Sequence, residues 1–207
     1  MARIGLLGGT FNPPHLGHLV CAQDARAQLG LDRVLLLPVH TPPHKETEAD
    51  PGVEHRVRLC IAAAGGDDEW LGVSRSEADV AGPSYTVDTL SRLHEACPED
   101  QLTFIVGGDM AHSLPQWREP EAVLVLAVLG VAERADVRRA DILERLAAIP
   151  GAADRIRFFD MPRIDISSTL IRRRVAAGEP IRHLVPDAVA RYIAGERLYG
   201  APREVVA

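Results

Sequence analysis

Short continuous apolar runs alternate along the chain with longer stretches in which apolar positions recur every three or four residues. RIGLL (3–7) predicts a buried strand that ends at Gly8 and Gly9. From residue 15 to about 29 the pattern is helical, with Gly30 as a stop. RVLLLPV (33–39) predicts a second strand, followed by a loop holding Pro42, Pro43 and Pro51 and a helix over 53–64. WLGVSR (70–75) and LTFIVG (102–107) predict the third and fourth strands, flanking a helix over 84–96. A short helix near 120–126 leads into a fifth strand, AVLGVAE (127–133). A helix over 136–149, a sixth strand RIRFFDM (155–161), and helices over 167–177 and 186–194 complete the pattern.

This alternation implies βαβ units with right-handed crossovers. The strands are apolar throughout, as a parallel sheet covered on both faces requires. The predicted class is therefore α/β with a doubly wound parallel sheet, in one domain over 1–207, with no repeat or linker. Such sheets bind ligands at the carboxyl ends of their strands.

Composition narrows the picture. The 207 residues are 46% hydrophobic and 25% charged, which suits a soluble globular protein. No apolar run reaches the roughly 18 residues of a membrane span, and Met-Ala-Arg leads straight into a strand without a signal peptide. A cytoplasmic protein without a membrane partner is expected. Cys21, Cys60 and Cys97 form neither a disulfide framework nor a zinc knuckle, and buried thiols in a reducing compartment are the expectation. The net charge of −6 argues against a nucleic-acid surface. Lys45, after HTPPH, is the only Lys among 23 basic residues. It reflects either arginine-biased usage or a position that wants a compact, mobile charge.

The chemistry concentrates in GGTFNPPHLGH (8–18), between the first strand and the first helix. Gly8 and Gly9 let the backbone turn tightly and approach a ligand. The helix start offers free N–H groups and a positive dipole end to an anion, and Thr10 adds a hydroxyl. His15 and His18, three apart at that start, are expected to face one phosphate. The segment matches neither G-x-G-x-x-G nor the P-loop. His-x-x-His is also half a metal site, but no third ligand lies nearby and no protein-held metal is expected.

Gly9-Thr10-Phe11-Asn12-Pro13 with His15-Leu16-Gly17-His18 resembles the signature of the nucleotidylyltransferase superfamily, and ISSTLIR (166–172) resembles its second motif. PPHK (42–45), SYTVDTL (84–90), GGDM (107–110), LPQW (114–117) and IRHLVPDAVARYI (181–193) resemble the bacterial nicotinate-nucleotide adenylyltransferases over about residues 3–199. Where that family often carries an Arg-Pro-Gly-Tyr-like turn after its fifth strand, this chain reads VAERADVRRA (131–140). The resemblance implies a Rossmann-like nucleotidylyltransferase fold. It also implies adenylyl transfer from ATP to nicotinate mononucleotide, giving deamido-NAD and pyrophosphate. Mg²⁺ would be held by the substrate phosphates rather than by an acidic cluster.

Within that reaction, Gly8, Gly9, Thr10 and Phe11 are expected beneath the triphosphate. His15 and His18 would meet the α-phosphate, stabilising charge in a way that protonation helps or leaves alone. Ser167, Ser168, Thr169 and Arg172 suggest a second phosphate site, although a hydroxyl there also serves as a helix cap. Lys45 is expected as a mobile phosphate partner, and Arg56 either supports the mononucleotide side or is a solvated helix charge. Gly107 and Asp109 end the fourth strand, with Asp109 a ribose acceptor, a helix N-cap, or both. Trp117 is a stacking partner for the pyridine ring or a core-edge residue. Ser84, Tyr85 and Thr86 open a helix whose N–H groups suit a nicotinate carboxylate, which predicts a preference for the acid over the amide. Two alternatives remain: nicotinamide mononucleotide or another phosphorylated acceptor in the same superfamily, and a nucleotide-binding module without turnover. A homo-oligomer is left open.

Overall fold

Side chains on successive strand residues point to opposite faces of a sheet, and here both faces are apolar. Leu6, Leu37, Phe104, Val106 and Val131 bury themselves in one layer. Their neighbours Leu7, Leu36, Ile105 and Ala132 bury themselves in the other. The computed structural model describes residues 1–41, 49–65, 69–133 and 138–201. It contains a six-stranded sheet in the order β3-β2-β1-β4-β5-β6. The strands are β1 (Arg3–Gly9), β2 (Arg33–Pro38), β3 (Leu71–Val73), β4 (Gln101–Gly107), β5 (Ala127–Glu133) and β6 (Ile156–Asp160). Every pairing between neighbours is parallel.

Helices α1 (Leu16–Leu29) and α2 (Val53–Ala64) carry the chain outward from β1 to β3. Helix α3 (Thr86–Ala96) returns it across the sheet to β4. Helices α4 (Gly108–His112), α5 (Pro120–Leu126), α6 (Arg139–Leu146) and α7 (Ala152–Arg155) lie between β4 and β6. The strand order therefore reverses between β1 and β4, and the crevice of a doubly wound sheet opens beyond the carboxyl ends of those strands. Helices α8 (Ser168–Ala176) and α9 (Asp187–Gly195) form a third apolar cluster with Leu59 and Ala63 of α2.

The expected ladder of elements is present, with informative differences at its joints. Helix α1 ends at Gly30, which adopts the left-handed conformation (φ 64°) that glycine tolerates best. Helix α3 starts at Thr86 rather than residue 84, because Tyr85 is extended (φ −94°, ψ 133°). The helix expected over 136–149 is confined to Arg139–Leu146. Pro150 and Gly151 (φ 74°) then turn the chain into α7, which has no amphipathic period long enough to read. Helix α4 is too short to read for the same reason. Cys21 and Cys60 are buried as expected, but Cys97 is exposed, since it follows α3 at the surface. Among the described residues no helix is long and apolar enough to cross a membrane.

Candidate active site

A cavity of about 750 Å³ opens at the switch point. One wall is the end of β1 and the start of α1: Gly8, Gly9, Thr10, Gly17, His18 and Cys21. The opposite wall is the start of α3 with Ser84, Tyr85 and Thr86, together with Gln116, Trp117 and Arg118. Between them lies the end of β4, with Phe104, Gly107, Asp109 and Met110.

The two histidines occupy different positions. His15 is the N-cap of α1, with extended backbone (φ −145°, ψ 171°), so the helical i, i+3 geometry does not apply to it. Its backbone N–H donates to Nδ1 of His18 at 3.1 Å, and the imidazole centroids stack 3.8 Å apart. His15 is buried at 8% exposure against Gly17, where a Cβ would sit 3.1 Å from its ring. Only His18 of the pair lines the cavity. Because Nδ1 of His18 accepts this hydrogen bond, its neutral ring carries the proton on Nε2.

Phe11 differs from expectation, and the glycines have a second purpose. Phe11 is 2% exposed and packs in the core rather than facing the cavity. A Cβ on Gly9 would meet the Phe11 ring at 3.1 Å, and one on Gly8 would meet Phe104 at 3.2 Å. The missing Cβ atoms thus make room for two aromatic rings as well as leaving backbone in the cavity wall.

The hydroxyls that open α8 have separate partners. Ser167 Oγ accepts the Leu170 N–H at 3.1 Å and caps the helix. Ser168 Oγ donates to the Pro13 carbonyl at 2.8 Å, and Thr169 Oγ1 accepts from Arg172 at 3.3 Å. Arg172 also donates to the Asn12 carbonyl at 2.9 Å. The start of α8 is therefore bolted to the loop after β1. None of these four residues lines the described cavity. Tyr199 supports the same loop by donating to Asn12 Oδ1 at 2.6 Å, and burial holds its phenol well above the usual range. Lys45 lies outside the described residues, as do 134–137 of the stretch that departs from the family pattern.

Asp109 lies in the first turn of α4, whose N-cap is Gly107, so Asp109 is not the cap. A Cβ on Gly107 would lie 2.8 Å from Asp109 Oδ1, so a larger residue there would push that carboxylate aside. Trp117 combines both expectations: its ring meets Phe104 edge-on at 6.0 Å and also lines the cavity, while Nε1 donates to Ser113 Oγ at 3.0 Å. The first turn of α3 has no side-chain cap, so its N–H groups are presented at the cavity wall.

Arg56 is neither a substrate-side contact of the cavity nor a solvated charge. It is 1% exposed and pairs with Asp50 at 3.0 Å. It also donates to the carbonyls of Thr10, Val39 and His40, tying the end of β1 to the end of β2. Two charged cavity residues were missed in the sequence. Glu77 is buried, accepts from Thr89 Oγ1 at 3.0 Å, and is held above the ordinary glutamate range by burial. Arg118 follows Trp117 directly, and that adjacency was the one available signal. Among the described residues no group of three or more His, Cys, Asp or Glu could hold a metal ion.

Residues 6–174 match the cytidylyltransferase-like family. The chain is 40% identical over 199 residues to "Probable nicotinate-nucleotide adenylyltransferase" of Thermomicrobium roseum, covering 96% of this chain and 92% of that protein. It is 42% identical over 200 residues to the protein of the same description from Roseiflexus, covering 96% and 98%. Its fold resembles Plasmodium falciparum nicotinic acid mononucleotide adenylyltransferase complexed with NaAD, with a TM-score of 0.74 at 17% identity over 99% of this chain and 100% of that one.

Proposed function

The chain belongs to the cytidylyltransferase-like family and, within it, to the nicotinate-nucleotide adenylyltransferases, and from that premise we infer how its cavity works. The enzyme transfers the adenylyl group of ATP to nicotinate mononucleotide, forming deamido-NAD and pyrophosphate. An oxygen of the mononucleotide 5′-phosphate attacks the α-phosphorus in line, and the bond to the β-phosphate oxygen breaks. No enzyme nucleophile is needed, so catalysis is positioning and charge stabilisation.

The observation that carries this reading is the pairing of opposite walls. One offers glycine backbone, the Thr10 hydroxyl and the His18 imidazole; the other offers an uncapped helix start beside an indole. A triphosphate suits the first wall and a pyridine carboxylate the second. We assign Gly8, Gly9, Thr10 and His18 to the α-phosphate region and Asp109 to a ribose hydroxyl. Trp117 is assigned to the pyridine ring, and Ser84, Tyr85 and Thr86 to the carboxylate. Ser168 and Arg172 hold the loop after β1; Arg172 remains assigned to the outer phosphates, and Lys45 to a substrate phosphate as a mobile partner. His15 acts through His18, as its positioning residue. Mg²⁺ bound with ATP would be held mainly by substrate oxygens and would supply charge neutralisation at the phosphates. A cytoplasmic location belongs to the same reading.

A pyrophosphate-release assay with MgATP and separate acceptors tests it. Nicotinate mononucleotide should be the preferred acceptor. Release with phosphopantetheine or glycerol phosphate but not with the pyridine nucleotide would assign another branch of the superfamily. Binding of ATP without release under any condition would leave a nucleotide-binding module.

A further inference from the structure

The cavity has an unusual charge inventory for a site that takes anionic substrates. Among its described lining residues Glu77 and Asp109 are acidic, and Arg118 is the one guanidinium or ammonium. The guanidinium of Arg118 lies 5.0 Å over the Tyr85 ring. Tyr85 is the N-cap of α3, and Trp117 is the preceding residue. The cation is therefore held at the end of the cavity where an indole and an uncapped helix start meet, away from the end of β1.

We propose that Arg118 is a specificity-determining residue that pairs with the substrate carboxylate and gives the acid its advantage over the amide. This rests on the adenylyl-transfer reading above. The side chain is poised for such an exchange. Its present ion pairs, Nη1 with Asp88 at 3.2 Å and Nε with Glu119 at 3.5 Å, are single contacts between side chains 47% to 60% exposed. Exposed pairs of this kind are weak. A carboxylate that enters the cavity can replace Asp88 at Nη1, forming a charge-assisted bond in a less hydrated place. Stacking on Tyr85 holds the guanidinium plane while its partner changes. A carboxamide has no charge to offer and brings an NH₂ that a guanidinium cannot accept from. The backbone N–H groups of α3 and the Arg118 side chain then act on the same group from two sides.

The test compares kcat/KM for nicotinate mononucleotide and nicotinamide mononucleotide, with saturating MgATP, in the parent enzyme, Arg118→Gln and Arg118→Lys. The acid-to-amide ratio should fall about tenfold in Arg118→Gln, through a higher KM for the acid. It should recover in part in Arg118→Lys, which restores charge without the planar fork. An unchanged ratio overturns the proposal. Equal losses with both acceptors also overturn it, because the side chain would then meet the phosphate that both share. A raised KM for ATP together with a lower melting temperature would make Arg118 a clamp on α3 instead. If the parent enzyme releases no pyrophosphate with the acid, the functional reading itself fails, and that outcome is separate from any change in ratio.

Discussion

The backbone N–H of His15 donates to Nδ1 of His18 at 3.1 Å, and this bond decides how His18 meets a substrate. With Nδ1 engaged as acceptor, the neutral ring carries its proton on Nε2. His18→Ala should lower kcat by at least about 100-fold, the scale of losing one transition-state donor, with little change in melting temperature. A kcat within a few-fold of the parent in His18→Ala would remove His18 from the chemistry.

Trp117 has one edge on Phe104 and a surface on the cavity. Trp117→Ala should raise the KM for nicotinate mononucleotide roughly two- to tenfold, the effect of losing a stacked ring. The KM for ATP should hardly move. Steady-state kinetics with each substrate varied in turn distinguish this from a packing role, which would raise both and lower the melting temperature.

Arg56 is a buried strut rather than a substrate contact. Arg56→Met should cost about 3 kcal/mol or more, because it strands the carbonyls of Thr10, Val39 and His40 and breaks the ion pair with Asp50. Urea unfolding midpoints measure the loss. A cost under about 1 kcal/mol would mean that water or another donor reaches those carbonyls.

Glu77 yields a pH prediction. Burial raises its folded pKa above the ordinary value, against smaller opposing effects of the Thr89 hydroxyl and Arg92. A raised folded pKa favours the native state in acid, below the ordinary glutamate range. That contribution is lost as pH rises through the folded value. Glu77→Gln keeps an acceptor for Thr89 and does not titrate, so its stability relative to the parent should improve from about pH 4.5 to pH 8. Paired urea titrations at several pH values read this directly. A constant offset would show that Glu77 titrates alike in the folded and unfolded protein.

Much of this protein is legible in order along the chain. The six strands, the Gly30 stop and the helices over α1, α2 and α5 follow from local period and punctuation, since each is fixed by residues within a few positions. The segment 8–18 is legible for the same reason: glycines, prolines and histidines there set a strand end, a turn and a helix start. The tertiary structure decided what those residues touch. His15 and His18 look equivalent by spacing, yet one is buried as a cap and the other lines the cavity. Arg56 sits on a helix in an ordinary charged pattern, and only the approach of two strand ends turns it inward. Glu77 and Arg118 join the site because α3 returns across the sheet and sets its start beside the turn at Trp117. Periodicity reports which face of an element is apolar. It carries no information on which distant backbone group or charge will meet a given side chain, and in this site those meetings distinguish the residues that line the cavity from those that hold it in shape.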